Sequence, residues 1–320
     1  MTAHIVVLDG STVNPGDNPW TPVEAFGSLT VYDESSPDDI ANRLADADVA
    51  VVNKARISAD VLSSAPKLKL IAVTATGYDC VDVPAARSRG VLVVNLPTYG
   101  TDTVAQFAFA LLLELCHRVG MHDAAVHGGE WQRRNSFSFR LSPQLELATW
   151  TLGIIGFGRI GRRVGEIGHA FGMRILACDQ LRGNTPDYQP FAWATQREVA
   201  EESDVVTLHC NLTPGADALV NREFLQLMKP SAFLVNSARG ALVDEQALAD
   251  AMNSGQLAGA AVDVVSSEPP TDGNPLLTAK NCIITPHIAW SSLAARRRMM
   301  HTTAENIRSF LAGAPKNVVN

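Results

Sequence analysis

Five cysteines in 320 residues, at positions 80, 116, 178, 210 and 282, include no C-x-x-C pair. Each stands in or beside an apolar run, so buried free thiols in a reducing compartment are expected rather than a disulfide framework. The eight histidines form no H-x-x-x-H and no Cys/His cluster, which argues against a metal site. Positive charge is in deficit as well. The 26 Lys and Arg against 33 Asp and Glu leave a formal net charge of −7, with no basic stripe for nucleic acid or anionic membrane. The longest apolar stretch, Val104 to Cys116, is interrupted by Gln106 and Glu114 and is too short to span a bilayer. The sequence opens on His4-Ile5-Val6-Val7-Leu8-Asp9 with no basic leader or cleavage site, so a cytoplasmic location is the expectation. What is present describes a globular protein: 46% hydrophobic and 18% charged residues, in a chain long enough for two cores.

The first hundred residues alternate strand and helix signals. Candidate strands are Ile5–Leu8, Leu29–Tyr32, Val49–Asn53, Leu68–Thr74 and Val91–Asn95, with helical stretches at Asp38–Ala45, Ser58–Ala65 and Val83–Arg89. Such alternation predicts a parallel sheet covered by helices. Its first turn, Asp9-Gly10-Ser11-Thr12, carries no dinucleotide fingerprint. Thr101 to Val119 reads as a long helix, apolar on most sides, crossing into a second domain. Residues 120 to 150 read as irregular, with Trp131, Arg133, Arg134, Phe137 and Phe139 suited either to an interaction arm or to a surface loop. Further strands follow at Val205–His209, Ala232–Asn236, Ala260–Val264 and Cys282–Thr285, with helices at Thr195–Glu202, Asn221–Met228, Asp244–Asn253 and Ser291–Ala312. The last of these is long enough to run back to the first domain.

The stretch from Thr151 to Asp179 carries the strongest signal. An apolar run, Leu152 to Ile155, breaks into Gly156-Phe157-Gly158-Arg159-Ile160-Gly161. Ile160, Val164, Ile167 and Phe171 then recur at helical spacing, Gly172 stands where a helix ends, and a second apolar run stops on Asp179. Strand, glycine turn, helix, strand and acid in this order give G-x-G-x-x-G the context it needs to signify dinucleotide binding. Gly156 permits the turn, Gly158 lets a pyrophosphate approach the backbone, and Gly161 allows helix and strand to pack closely. Asp179 would accept from the ribose hydroxyls and repel a 2′-phosphate, which favours NAD over NADP; Arg182 nearby would soften that preference, or be a surface arginine with no such role.

Three groups with chemistry to offer stand just past strand ends, where open α/β sheets place their ligands. Arg239 follows Phe233 to Ala238, Glu268 follows Ala261 to Val265, and His287 follows Ile283 to Pro286. Taken singly, each has a plainer reading as a salt-bridging arginine, a solvated loop acid or a surface histidine. Together they supply what reduction of a 2-keto acid requires. A guanidinium holds the carboxylate and polarises the carbonyl. An imidazole, which titrates near neutrality, gives the proton, and a carboxylate keeps the imidazole charged and oriented. Lys54 at another strand end would add positive potential, or be a solvated charge.

The stretches A-T-G-Y-D-C-V-D (75–82), G-F-G-R-I-G (156–161), N-S-A-R-G-A-L-V-D-E (236–245), D-V-V-S-S-E-P (263–269) and T-P-H-I-A-W (285–290) resemble the D-isomer-specific 2-hydroxyacid dehydrogenases over nearly the whole chain. Asn53-Lys54, Ala75 to Tyr78 and His287 to Trp290 are most similar to the glycerate dehydrogenases, also called hydroxypyruvate reductases. The resemblance implies Arg239 as carboxylate and carbonyl binder, Glu268 as the partner of the histidine, and His287 as general acid/base. It implies Ala75, Thr76 and Gly77 as a backbone cradle for the substrate carboxylate, with Thr76 also near the cofactor. Further cofactor contacts carry over to Arg159, Ile160, Asp179, Cys210, Ser237, Ala238 and Asp263.

The implied architecture is α/β, with two doubly wound parallel-sheet domains and a cleft between them. Residues 1–100 and 290–320 form a flavodoxin-like substrate domain, and residues 101–289 form a Rossmann NAD-binding domain whose segment 120–150 is a homodimer arm. Two departures from the family pattern are visible. Thr149-Trp150 stands where Gly-Lys is common, and Asn211 stands where proline usually follows the position of Cys210. The expected activity is NAD-dependent interconversion of a small anionic 2-keto acid, hydroxypyruvate or glyoxylate, with its D-hydroxy acid or glycolate. The alternatives are an NAD(H)-sensing regulator of the same fold and a dehydrogenase for a bulkier or phosphorylated substrate. Formate oxidation is disfavoured, since the formate enzymes of the family resemble the pattern with glutamine at the position of Glu268.

Overall fold

In a computed structural model, residues 3–212, 215 and 217–320 are described. The chain divides into two compact units, Met1–Gly100 with Trp290–Asn320, and Thr101–Ala289. The first unit is built on β1 (Ala3–Val7), β2 (Gly27–Val31), β3 (Val49–Val52), β4 (Leu70–Val73) and β5 (Leu92–Val94). The strands alternate with α1 (Thr21–Glu24), α2 (Pro37–Leu44), α3 (Ala59–Ser63) and α4 (Val83–Ser88). All pairings are parallel, in the order β2-β1-β3-β4-β5, the flavodoxin-like arrangement. Every residue of β3 and β4 is buried, as continuous apolar runs covered on both faces must be.

The second unit begins with α5 (Thr101–His117), α6 (Val119–His127) and α7 (Glu130–Arg134). It continues through β6 (Thr151–Ile155), α8 (Arg159–Ala170), β7 (Arg174–Cys178), β8 (Phe191–Trp193), α9 (Gln196–Glu202), β9 (Val205–Leu208) and α10 (Arg222–Leu227). It closes with β10 (Phe233–Asn236), α11 (Glu245–Ser254), β11 (Gly259–Val262) and β12 (Cys282–Ile284). The seven strands lie parallel in the order β12-β11-β10-β9-β6-β7-β8, so the chain reverses its direction of travel between β6 and β9. That is the doubly wound Rossmann order extended by one strand. Leu152, Ile154 and Ile175 are fully buried in its centre; each such side chain contributes about 1.5–3 kcal/mol relative to exposure. The chain then returns to the first unit as α12 (Leu293–Leu311).

Three details correct the sequence reading. Residues 120 to 150 are not irregular throughout, since α6 and α7 occupy much of the segment. Neither helix buries a residue in this chain, so no core imposes an apolar period on their sequences. Arg118, at φ 47, breaks the helix expected to run on to Val119. The buried face of α8 is not the stripe of Ile160, Ile167 and Phe171. It consists of Gly161, Val164, Gly165 and Gly168, because the helix lies too close to the sheet for larger side chains: a Cβ at Gly168 would fall 2.7 Å from Leu152. Phe171 is largely exposed and stacks on Phe109 at 5.4 Å.

Gly172 ends α8 at φ 78 as the spacing predicts. Its N–H donates to His169 O at 2.9 Å and that of Met173 to Gly168 O at 3.0 Å, which is a Schellman closure. Thr149 donates its own N–H to Gly172 O at 3.0 Å, and does so at φ 72. A threonine in the left-handed region is strained by about 1–2 kcal/mol, whereas glycine there is not. Thr149→Gly is therefore expected to stabilise the protein by about 1 kcal/mol after the entropy cost of glycine, read as a rise of about 2–4 °C in Tm.

No single helix is long and apolar enough to cross a membrane among the described residues; α5 and α6 reach that length only together, bent by 58°.

Candidate active site

The glycines after β6 have three different jobs. A Cβ on Gly156, which sits at φ 92, would meet Cys210 N at 2.4 Å, so this glycine admits the end of β9. One on Gly161 would meet Gly156 O at 2.0 Å, so this one lets α8 start against the turn. One on Gly158 would meet nothing within 4 Å. Gly158 is also the N-cap of α8, with no side-chain cap and no acid in the first turn, so the helix presents its N–H groups to open space. That is a fitting seat for a pyrophosphate. Asp179, at the end of β7, accepts the N–H of Phe157 at 2.6 Å and that of Leu181 at 3.0 Å, which fixes its carboxylate beside the turn. Arg159 and Ile160 open α8, and Cys210 follows β9. Beyond β10, the buried Ser237 Oγ has no hydrogen-bond partner among the described residues. A buried hydroxyl left unmatched at this sheet edge suits a polar ligand. Turn, helix end, acid and hydroxyl together fit a dinucleotide.

Arg239, Glu268 and His287 all belong to the second unit, past the carboxyl ends of the adjacent strands β10, β11 and β12. The buried Asn236 shapes the first of these turns, donating to Arg239 O at 2.9 Å and accepting from Ala238 N at 3.0 Å. The guanidinium of Arg239 donates to Ala238 O at 2.8 Å. Glu268 and His287, 19 residues apart in sequence, meet at 2.7 Å between Oε2 and Nδ1. Since the carboxylate only accepts, Nδ1 carries the hydrogen and Nε2 is the nitrogen left to face a reactant.

Asp263 organises the histidine turn. It is 1% exposed, and its carboxylate accepts from Thr285 Oγ1 at 2.6 Å, Ile288 N at 2.9 Å and Ala289 N at 2.8 Å, while its backbone carbonyl accepts from His287 N at 2.8 Å. Burial pushes its carboxyl above the ordinary range, and these donors pull the other way. The turn so braced holds His287 at φ 53, in the left-handed region that residues with a side chain uncommonly adopt.

His209, next to the glycine turn, is enclosed differently. Its Nε2 lies 2.9 Å from Thr207 Oγ1 and its Nδ1 is buried without a partner among the described residues, and burial pushes the imidazole down to about 3.

In the first unit, Lys54 follows β3 and Ala75, Thr76 and Gly77 follow the neighbouring β4. Leu96 N donates to Ala75 O at 3.0 Å, Asn95 Nδ2 donates to Thr76 O at 2.8 Å, and Thr76 Oγ1 donates to Leu96 O at 2.7 Å, so the segment is pinned from β5. The sequence reading passed over Asp9. It is 6% exposed, and its carboxylate accepts the N–H groups of Asn53, Lys54 and Ala55 at 2.5 to 3.1 Å. An acid closing a fully apolar strand was the only signal for it. The five cysteines are free. Among the described residues no three His, Cys, Asp or Glu side chains gather as a metal site.

Comparison with known proteins gives these features a family. The model of the D-isomer specific 2-hydroxyacid dehydrogenase NAD binding domain matches residues 109–289. A hydroxypyruvate reductase of Blautia hydrogenotrophica is 45% identical over 319 residues, covering 99% of each chain. A glycerate dehydrogenase of Methylorubrum extorquens is 38% identical over 325 residues, covering 100% of this chain and 99% of its own. Among solved structures, the NADPH-dependent glyoxylate/hydroxypyruvate reductase of Sinorhizobium meliloti, in complex with NADP and malonate, matches with a TM-score of 0.85 at 26% identity, over 100% of this chain and 97% of its own. With a doubly wound sheet, a dinucleotide turn and a histidine–carboxylate pair on the same sheet edge, the chain belongs to the D-isomer specific 2-hydroxyacid dehydrogenase family and is an oxidoreductase of 2-hydroxy acids.

Proposed function

We propose that the protein is an NAD-dependent reductase of a small 2-keto acid, hydroxypyruvate or glyoxylate, giving the D-hydroxy acid or glycolate. The observation that carries this reading is the 2.7 Å contact between His287 Nδ1 and Glu268 Oε2, one strand away from the turn bearing Arg239. When bound, the nicotinamide supplies or takes the hydride. Arg239 binds the carboxylate and polarises the carbonyl through its planar pair of donors. His287 gives its Nε2 proton to the carbonyl oxygen, and Glu268 stabilises the imidazolium and fixes the ring. The N–H groups after β4 and the charge of Lys54 are suited to a small anion. The relatives named for hydroxypyruvate, glycerate and glyoxylate support this substrate class.

The cofactor would lie with its pyrophosphate over Gly158 at the start of α8. Arg159, Ile160 and Cys210 would line it, Asp179 would accept from the adenosine ribose, and Ser237, Ala238 and Asp263 would serve the nicotinamide half. An anchored carboxylate at Asp179 disfavours a 2′-phosphate, which supports NAD over NADP. The segment from α6 to residue 141 exposes Val119, Met121, Trp131, Phe137 (97% exposed) and Leu141, an apolar display suited to a homodimer arm.

Steady-state rates with hydroxypyruvate, glyoxylate, pyruvate and phenylpyruvate, each with NADH and NADPH, test the proposal. The highest kcat/KM is expected for hydroxypyruvate or glyoxylate with NADH, from a protein of dimeric mass in light scattering. Gly158→Ala is expected to leave Tm unchanged and to weaken dinucleotide binding about 5- to 150-fold, the range of 1–3 kcal/mol for an intruding methyl. No turnover of any of the four acids, or unchanged dinucleotide affinity in Gly158→Ala, would refute it.

A further inference from the structure

The turn that carries Arg239 and the loop that carries Glu268 are joined by more than their two strands. Gly240 lies directly on the loop backbone, where a Cβ would fall 2.0 Å from the carbonyl carbon of Val265. Five residues further on, Glu245 opens α11 with a carboxylate whose partners lie outside its own helix. Its Oε1 accepts from Ser266 N at 2.6 Å, and its Oε2 accepts from Ser266 Oγ at 2.7 Å and from Asn274 Nδ2 at 2.9 Å. The helix has no need of it for capping, because Asp244 already accepts from Ala247 N at 2.9 Å. An acid serving only the helix dipole would point at the first-turn N–H groups, and this one does not.

Ser266 stands two residues before Glu268 and is exposed, while Asn274 stands six residues after it and is 8% exposed. The loop between them forms no helix or strand. Hydrogen bonds inside it include Val265 N to Glu268 Oε1 at 3.3 Å, Ser267 Oγ to Pro269 O at 3.4 Å and Asn274 N to Thr271 O at 3.1 Å. Glu245 adds short, charge-assisted contacts on each side of Glu268, and such bonds are roughly twice as strong as neutral ones. We propose that Glu245 is a positioning residue for the proton-transfer pair. By gripping the loop at Ser266 and Asn274 it holds the Glu268 carboxylate at its 2.7 Å contact with His287, in register with the turn of Arg239. This assignment rests on the reading of His287 and Glu268 as the acid/base pair.

A double-mutant cycle tests it, with wild type, Glu245→Ala, Glu268→Gln and the double variant assayed with hydroxypyruvate and NADH. Glu245→Ala is expected to lower kcat about 10- to 100-fold, the cost of a misplaced catalytic group. The KM for NADH should stay unchanged. In the Glu268→Gln background the same change is expected to cost less than about twofold, because residues acting as one unit are not additive. Fully additive losses in kcat, or a loss confined to Tm, would overturn the assignment. Should Glu245→Ala fail to fold, Ser266→Ala takes its place in the same cycle; it removes one hydroxyl from an exposed position and should give a smaller loss with the same non-additivity. A wild-type protein that reduces no 2-keto acid would refute the functional reading itself, whereas an active one with additive variants refutes only the role of Glu245.

Discussion

Replacing His287 by alanine is expected to lower kcat by about 10²–10⁴-fold, the range for loss of a general acid. The dissociation constant of the dinucleotide should hardly move, because the glycine turn, Asp179 and Ser237 are on other strands. The size of the effect follows from how much structure is committed to this ring. His287 sits at φ 53, in a region that costs a residue with a side chain about 1–2 kcal/mol. Four hydrogen bonds to Asp263, one from the His287 backbone itself and three from Thr285, Ile288 and Ala289, keep it there. Glu268 then takes Nδ1 and leaves Nε2. Alanine keeps the turn and loses the proton donor. Single-turnover measurement of hydride transfer with saturating NADH is the direct check, and near-normal turnover would remove His287 from the mechanism.

The positions of the proposed site were legible in the sequence, whereas its scaffolding was only partly so. Gly156 to Gly161, Asp179 and the positions of Arg239, Glu268 and His287 declare themselves because each follows an apolar run that is a strand on any reading. Asp263 entered only as a cofactor contact carried over from the family, and its grip on residues 285 to 289 had no local mark. Asp9 and Glu245 were not recognised because they brace turns by accepting hydrogen bonds from loops 21 to 46 residues away, and hydrogen bonds between distant segments leave no period; Asn236 braces its own turn, from two and three residues away. The edge strand Phe191–Trp193 was missed for another reason: it has three residues, all half-buried, and gives neither alternation nor a continuous apolar run. In α6 and α7 the difficulty was the lack of a buried face. What the sequence conveys is the burial of apolar strands and the chemistry at their ends; the polar struts between loops require coordinates.

Acid stability is expected to depend on His209 more than on any surface ion pair. Burial pushes its imidazole down to about 3, against an ordinary value near 6.5 in the unfolded chain. Between those two values the unfolded chain binds a proton that the folded protein refuses. Stability therefore falls as pH drops from 6.5 towards 3, by up to about 1.4 kcal/mol per pH unit from this one group. The carboxylates held low by arginine, such as Asp17 by Arg296 and Asp250 by Arg222, work in a lower window. Their contribution is present above the ordinary carboxylate value and is lost only as pH falls below about 4. Urea unfolding at pH 6.5, 5.5 and 4.5 separates the two. The wild type should lose up to about 3 kcal/mol across that range from His209, and His209→Gln should lack that part of the slope. Parallel curves for the two proteins would show that the histidine titrates in the folded state.

The order of strands in the larger sheet has a consequence for how this enzyme can diverge. The acid proposed to discriminate between the two nicotinamide dinucleotides closes β7, on one flank of the reversal between β6 and β9, while the proposed proton donor and its partner close β12 and β11 on the other flank. On that assignment, exchanging one electron carrier for the other calls for changes after β7 and none at the strand ends of the proposed proton-transfer pair. A lineage moving between biosynthetic and catabolic redox pools needs no new active site.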